Sequence, residues 1–425
     1  MTLPSRQLFW IARLRKRRVA NPPSRASAAR SAAGRPAKKT SGLVPADMNG
    51  TRSIPEASAQ PACTNGVRPS AFRVAAGRCT RSGMRSESVN IMRLLTCPKL
   101  RTSRMWVLLA AVATFVSYVS QADSRKTGVK EVQVPFSSLK PSASIKVGRT
   151  ADWVLVTENA VWVATTKPYA VQRIDPATNK ITATVALSGE ACSGQTYAFG
   201  SIWVPLCGKN PALVRINTAT NAISATLPVG PVDAEESITA SDDSIWIVTD
   251  RNSTLDRIDP STNSVRQNIS IPPGSYNPLF SNGVIWVTGV ENNILTAVDA
   301  STGKMMESFT IGSKPRFLFS GGGSVWVLNQ GDGSVSRVDE KTRKLVATVQ
   351  VGIPGTGGDL VYAEDHLWIA SFGVPLSRVD PTSNKVSRQW VGRGGDSLRY
   401  GHDAIWLTDY HRGLVWRFPI RELMK

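Results

Sequence analysis

Short apolar runs and polar turns alternate with a fixed beat along residues 143–425. The clearest unit, residues 160–189, reads AVWVATTKPYAVQRIDPATNKITATVALSG. An aliphatic residue and a tryptophan open it, a second run follows at residues 171–174, and a tight turn leads to a third at residues 181–187. The opening returns at Ile202, Ile245, Ile285, Val325, Leu367 and Ile405. The tryptophans, Trp162, Trp203, Trp246, Trp286, Trp326, Trp368 and Trp406, stand 38 to 43 residues apart. That period suits either a propeller blade or a small helical repeat. The runs are short, β-branched and aromatic, with no room for a ten-residue helix between them, so they predict strands. The turn Asp175-Pro176-Ala177-Thr178-Asn179 has close copies at Asp259 and Asp380. Proline presets φ there, and Asp and Asn bond their own backbone, which reverses the chain.

Each unit gains a fourth strand from the run before its tryptophan. The expectation is an all-β, seven-bladed β-propeller of four-stranded antiparallel blades. The last unit lacks an outermost strand, and residues 143–148 resemble one, so an N-terminal strand should complete the last blade and leave no free inner edge.

The formal charge of +20 would suggest nucleic acid if it lay on the fold. Residues 1–122 hold 21 of the 51 Lys and Arg but 3 of the 31 acids, a balance of +18, which leaves +2 for the rest. The propeller is therefore not expected to bind nucleic acid. Residues 105–119 are mostly apolar, with Arg93, Lys99, Arg101 and Arg104 before them and Ser120-Gln121-Ala122 after. This fits a secretory signal at residues 92–122, cleaved after Ala122; a short membrane anchor and an Arg-rich transit peptide are the competing accounts. Residues 1–91 read as a disordered basic segment or an untranslated one, with Met92 as the alternative start. Residues 123–142 read as a linker and 143–425 as the propeller, a periplasmic or secreted monomer without a membrane span after cleavage. Two cysteines remain in it, Cys192 and Cys207. Both fall on the same face of one blade, where export favours a disulfide worth about 3 kcal/mol.

The lower turns are stereotyped and the upper loops diverse, so binding is expected on the upper face. Ten residues before each tryptophan lies the start of an innermost strand, at the mouth of the central channel. These residues include Asp152, Glu236, Tyr276, Arg316 and Asp396, with Glu235, Asn277 and Asp359 beside them. The set suits a small cationic or mixed-charge ligand, or magnesium or calcium through oxygen ligands; a solvated rim of mutually paired charges is the alternative. On the outer part of that face, Asp409 and His411 form a candidate acid–base pair. No phosphate-cradling glycine loop, metal-spaced Cys/His pair or nucleophile elbow is present. Arg173, Arg215, Arg257, Arg337 and Arg378 recur in the third strand and read as scaffold.

At the Ile/Val-Trp-Val, Arg-Ile-Asp-Pro-x-Thr-Asn-Lys and Val-Gly segments, residues 144–420 resemble the seven-bladed propellers of the streptogramin (virginiamycin B) lyase-like and YVTN-repeat families. The resemblance implies a magnesium-assisted elimination that opens a cyclic peptide ester, with catalytic Glu and His on the upper face. The family's recurrent Glu falls here on Thr165, Leu206, Thr249, Gly289, Asn329, Ser371 and Asp409. Three functions therefore stay open: an exported propeller binding a small molecule or a protein on its upper face, a lyase-like enzyme using Asp409 and His411, and a structural module of an envelope assembly.

Overall fold

The computed structural model describes residues 128–425 apart from Ala234, Arg251 and Asn252. The stretch read as a signal, transit peptide or anchor lies outside them, as do residues 1–91. Among the described residues no helix is long and apolar enough to cross a membrane.

Seven antiparallel sheets follow one another, each built around one tryptophan strand. Blade 1 comprises Thr150–Thr157, Ala160–Thr166, Ala170–Asp175 and Lys180–Ala186. Blades 2 to 7 carry Trp203, Trp246, Trp286, Trp326, Trp368 and Trp406 in turn. All seven rings are at most 1% exposed. At 150–250 Å² of ring surface each, their burial contributes at most about 4–6 kcal/mol apiece. The second strand, apolar on both faces, lies between neighbouring blades, while outer strands such as Lys180–Ala186 are mostly exposed. The reversing turns work as the sequence implies. Asp175 Oδ1 accepts from the Ala177 N–H at 2.8 Å, and Asn179 takes the left-handed conformation, with φ of 58°.

The ring closes with Ala143–Lys146 antiparallel to Leu414–Pro419 as the outermost strand of blade 7. Within the stretch expected as a linker, Gln133–Pro135 instead forms a fifth, parallel strand on Lys385–Val391 of blade 6. A three-residue strand ending in proline survives there because it sits at a sheet edge, where its missing donor leaves no ladder bond unmade. Phe136 then packs against Trp416 and Phe418 of blade 7, with ring centroids 5.3 and 5.7 Å away.

The recurring arginines join blade to blade. Arg215 lies over Trp203, 4.8 Å from its ring, and donates to Pro260 O at 2.6 Å and Asn263 Oδ1 at 2.9 Å in the turn of blade 3. Arg337 does the same to Pro381 and Asn384. Arg257 reaches Ser301 O, and Arg417 crosses the closure to Pro176 O and Asn179 Oδ1 of blade 1. Charge-assisted bonds and a cation–π contact act together where Arg215, Arg337 and Arg417 meet a proline carbonyl and an asparagine. The other four seams differ. The turn that Arg257 meets has Ala300 in place of the proline, and Arg378 donates to Leu423 O at 3.0 Å. Blade 4 has Ala297 opposite Trp286, and Ser281 of that blade instead donates to Glu340 of blade 5 at 2.6 Å. Blade 2 has no proline in its turn, and Arg173 Nε and Asn221 Oδ1 are buried without partners.

Candidate ligand-binding site

The innermost strands start on the upper face, and their first residues converge at the channel mouth. In blade 2 this strand is broken into Glu190–Ala191 and Thr196–Ala198. A disulfide joins Cys192 to Cys207, with Cα atoms 5.8 Å apart. The break, which offsets Ser193 from its counterparts, lets Gln195 Nε2 donate to both Trp153 O and Trp162 O of blade 1 at 3.0 Å.

The centre of the ring is filled. Trp153 of blade 1 and Phe317 of blade 5 meet with ring centroids 5.9 Å apart. These blades are not neighbours, so the contact crosses the channel. A second crossing is ionic: Arg399 of blade 7 donates to Glu236 Oε1 of blade 3 at 2.6 Å and to Asp359 Oδ2 of blade 6. Asp359, 1% exposed, also accepts from Ser397 Oγ at 2.8 Å and the Leu398 N–H at 3.1 Å. The two carboxylates hold the Arg399 guanidinium firmly charged. Burial and the charge of Asp359 push Glu236 up to about 8, against the pull of Arg399. Burial thus leaves Glu236 holding its proton well into the neutral range even with the guanidinium beside it.

Asp152, Glu235 and Asp396 come from blades 1, 3 and 7. No salt bridge to Asp152, Glu235 or Asp396 occurs among the described residues. Burial, then the charges of Asp396, Glu235 and Glu190, raise Asp152 well above the usual carboxylate range. Asp396 is raised likewise by burial and then by Glu235. Burial takes Glu235 to about 7 despite the opposing charge of Arg316. Asp152 and Asp396 both feel the charge of Glu235, and none of the three has a salt-bridge partner among the described residues, which leaves a demand for positive charge there.

On the blade 4–5 side, Arg316 is 8% exposed, lies 4.7 Å over the Tyr276 ring and stands 3.3 Å from Asp233. Asn277, fully buried, donates from Nδ2 to Glu235 O at 2.5 Å. Thr288 Oγ1 ties the pair together, accepting from the Asn277 N–H at 3.4 Å and donating to Arg316 O at 3.0 Å. Asn277 Oδ1, Arg316 Nε and Glu236 Oε2 are buried with no hydrogen-bond partner among the described residues.

The structure therefore brings Asp152, Glu236, Tyr276, Asn277, Arg316, Asp359 and Asp396 to one mouth. It does not join Asp409 to His411. Asp409 is 1% exposed and accepts from Arg412 Nε and the Arg412 N–H, whereas His411 is exposed and lies against Phe372 and Tyr410. A carboxylate held by a guanidinium three residues on has no reason to turn toward the imidazole. Arg399 was missed by the count of ten, although the sequence carried a signal. Opposite each tryptophan the innermost strand holds Leu155, Thr196, Thr239, Leu279, Phe319, Val361 and Arg399. A single arginine in that series stands out. Tyr410 also faces the mouth: burial and then the acids Asp152, Glu190, Asp396 and Glu235 raise its phenol.

Neither the magnesium implied by the resemblance nor the magnesium or calcium expected from the mouth's oxygen ligands fits these residues. Among the described residues no three of His, Cys, Asp and Glu gather as a metal-holding group, and two of the mouth acids already face Arg399.

No family model and no curated protein matches the chain. Among solved structures it is similar to a streptogramin B lyase, with 15% identity over 65% of this chain and 96% of that one and a TM-score of 0.56. It is also similar to BamB from Moraxella catarrhalis, with 10% identity over 66% of this chain and 97% of that one and a TM-score of 0.52. At such identities the likeness extends to the fold: the chain is a seven-bladed propeller built like both.

Proposed function

We propose that this protein is an exported propeller whose channel mouth binds a small organic cation. The observation that carries the reading is the convergence at the mouth of Asp152, Glu235 and Asp396, all raised by burial and none with a salt-bridge partner among the described residues. A cation entering there would displace the protons these acids hold, and the low local dielectric would strengthen its attraction. Export is supported by the Cys192–Cys207 disulfide, because such bonds persist in oxidising compartments.

The lyase-like alternative has thinner support, since Asp409 is engaged by Arg412 and His411 lacks an acid. The envelope-module alternative would draw on exposed apolar residues. Ile181, Ile223, Val265, Met305 and Leu345 are such residues, but each sits on the outer strand of a different blade rather than in one patch.

The test is calorimetric titration with butylammonium at pH 7 in two buffers of different ionisation enthalpy. Binding should release protons, so the heat should depend on the buffer, and Asp396→Asn should remove most of that dependence. Absence of butylammonium binding would sink the reading. Binding of calcium or magnesium in its place would make the mouth a metal site.

A further inference from the structure

Besides Glu236 Oε2, two buried hydrogen-bonding atoms of opposite kind lie unused beside the mouth acids. Arg316 Nε is a donor and Asn277 Oδ1 an acceptor, and neither has a partner among the described residues. Leaving such groups unmade in a buried place costs about 1–3 kcal/mol each, so their persistence points to a ligand that completes them. Their positions are fixed. Arg316 is held by the Tyr276 ring and by Asp233, Asn277 by its bond to Glu235 O, and both backbones by Thr288. The bond from Asn277 Nδ2 also settles which amide atom remains free, namely the oxygen.

A simple amine would satisfy the acids and leave both orphans as they are. A group that carries an ammonium, then a hydrogen-bond acceptor, then a donor would satisfy all of them. The start of a polypeptide has that order: its α-ammonium, the carbonyl of residue one, the N–H of residue two. We propose that the mouth captures the free amino terminus of a peptide, an inference that rests on the cation-binding reading above. The ammonium meets Asp152, Glu235 and Asp396. The first carbonyl oxygen accepts from Arg316 Nε, and the next N–H donates to Asn277 Oδ1. Capture of a terminal amine among backbone-like partners is a known mode of peptide recognition. The filled channel beneath, closed by Trp153, Phe317 and Arg399, stops the peptide from threading through and favours a terminus over an internal segment.

The experiment compares three probes on the full protein by calorimetry at pH 7: tri-alanine amide, its N-acetylated form, and butylammonium. Tri-alanine amide should bind at least tenfold more tightly than butylammonium, and acetylation should cost at least tenfold. Arg316→Lys, which keeps the charge but loses the Nε–H, should remove the preference for tri-alanine amide over butylammonium when both probes are measured on that variant. The unmutated protein with the acetylated probe keeps the test valid if that variant does not fold. Equal binding of the free and acetylated peptides overturns the inference. Binding of butylammonium with no gain for the peptide overturns it as well, while the cation-binding reading stands. Absence of binding by all three probes overturns both.

Discussion

Arg399 gives the sharpest test of how the mouth is built. Arg399→Met keeps the length and apolar stem of the side chain but removes the one guanidinium shared by Glu236 and Asp359. Removing one partner of a buried ion pair costs about 3–5 kcal/mol, because the remaining charge is left uncompensated. For a propeller of roughly 280 residues, at an unfolding entropy of about 2.1 cal/mol/K per residue, that is a fall of about 5–8 °C in the melting midpoint. Melts of the native protein and the variant followed by circular dichroism at pH 8 decide the matter. A loss under about 1 kcal/mol would refute the account of Arg399 as a cross-channel clasp.

Three further outcomes are expected. Glu235 and Glu236 are raised from 4.5 to about 7 and about 8. The stability they contribute is complete below about 4.5 and is lost as pH rises through 7–8, so the urea midpoint of the native protein should fall between pH 5 and pH 8; a flat or rising profile would contradict the shifts. Arg417→Ala removes the bonds to Pro176 and Asn179 and the stacking over Trp406. It should cost about 2–3 kcal/mol, read as a lower urea midpoint, with Arg417→Lys recovering only part because a lysine cannot fork. Cys192→Ser with Cys207→Ser should cost about 3 kcal/mol under non-reducing conditions and little under reducing ones, checked by paired urea titrations.

The blade count, the closure by residues 143–146 and the same-face placement of the two cysteines were legible because a fixed repeat carries strand direction with it. Once Trp162 and its six counterparts set the register, every other position follows. The convergence of Asp152, Glu236, Arg316 and Asp396 was legible by the same count. Gln133–Pro135 was not, because three residues ending in proline have no periodicity and owe their strand to the blade 6 edge that receives them. The choice of Arg412 over His411 as the partner of Asp409 was also hidden, since both lie within three residues and only the loop's path separates them. Arg399 stood out in the spacing as the one arginine opposite a tryptophan, but its partners on blades 3 and 6 did not, because spacing along the chain does not say which residues meet across a ring.

The arginine seams carry a consequence for how such a ring can change its size. The full joint occurs at three seams, with the guanidinium supplied by blades 2, 5 and 7 and the proline carbonyl and asparagine by blades 3, 6 and 1. No blade makes both halves of it, because Arg257 and Arg378 of blades 3 and 6 reach Ser301 O and Leu423 O instead. The unit is therefore not an interchangeable part, and one copy added or dropped at such a seam would leave a guanidinium or a turn without its counterpart. The ring keeps its size through neighbours fitted to one another, not through the repeat alone.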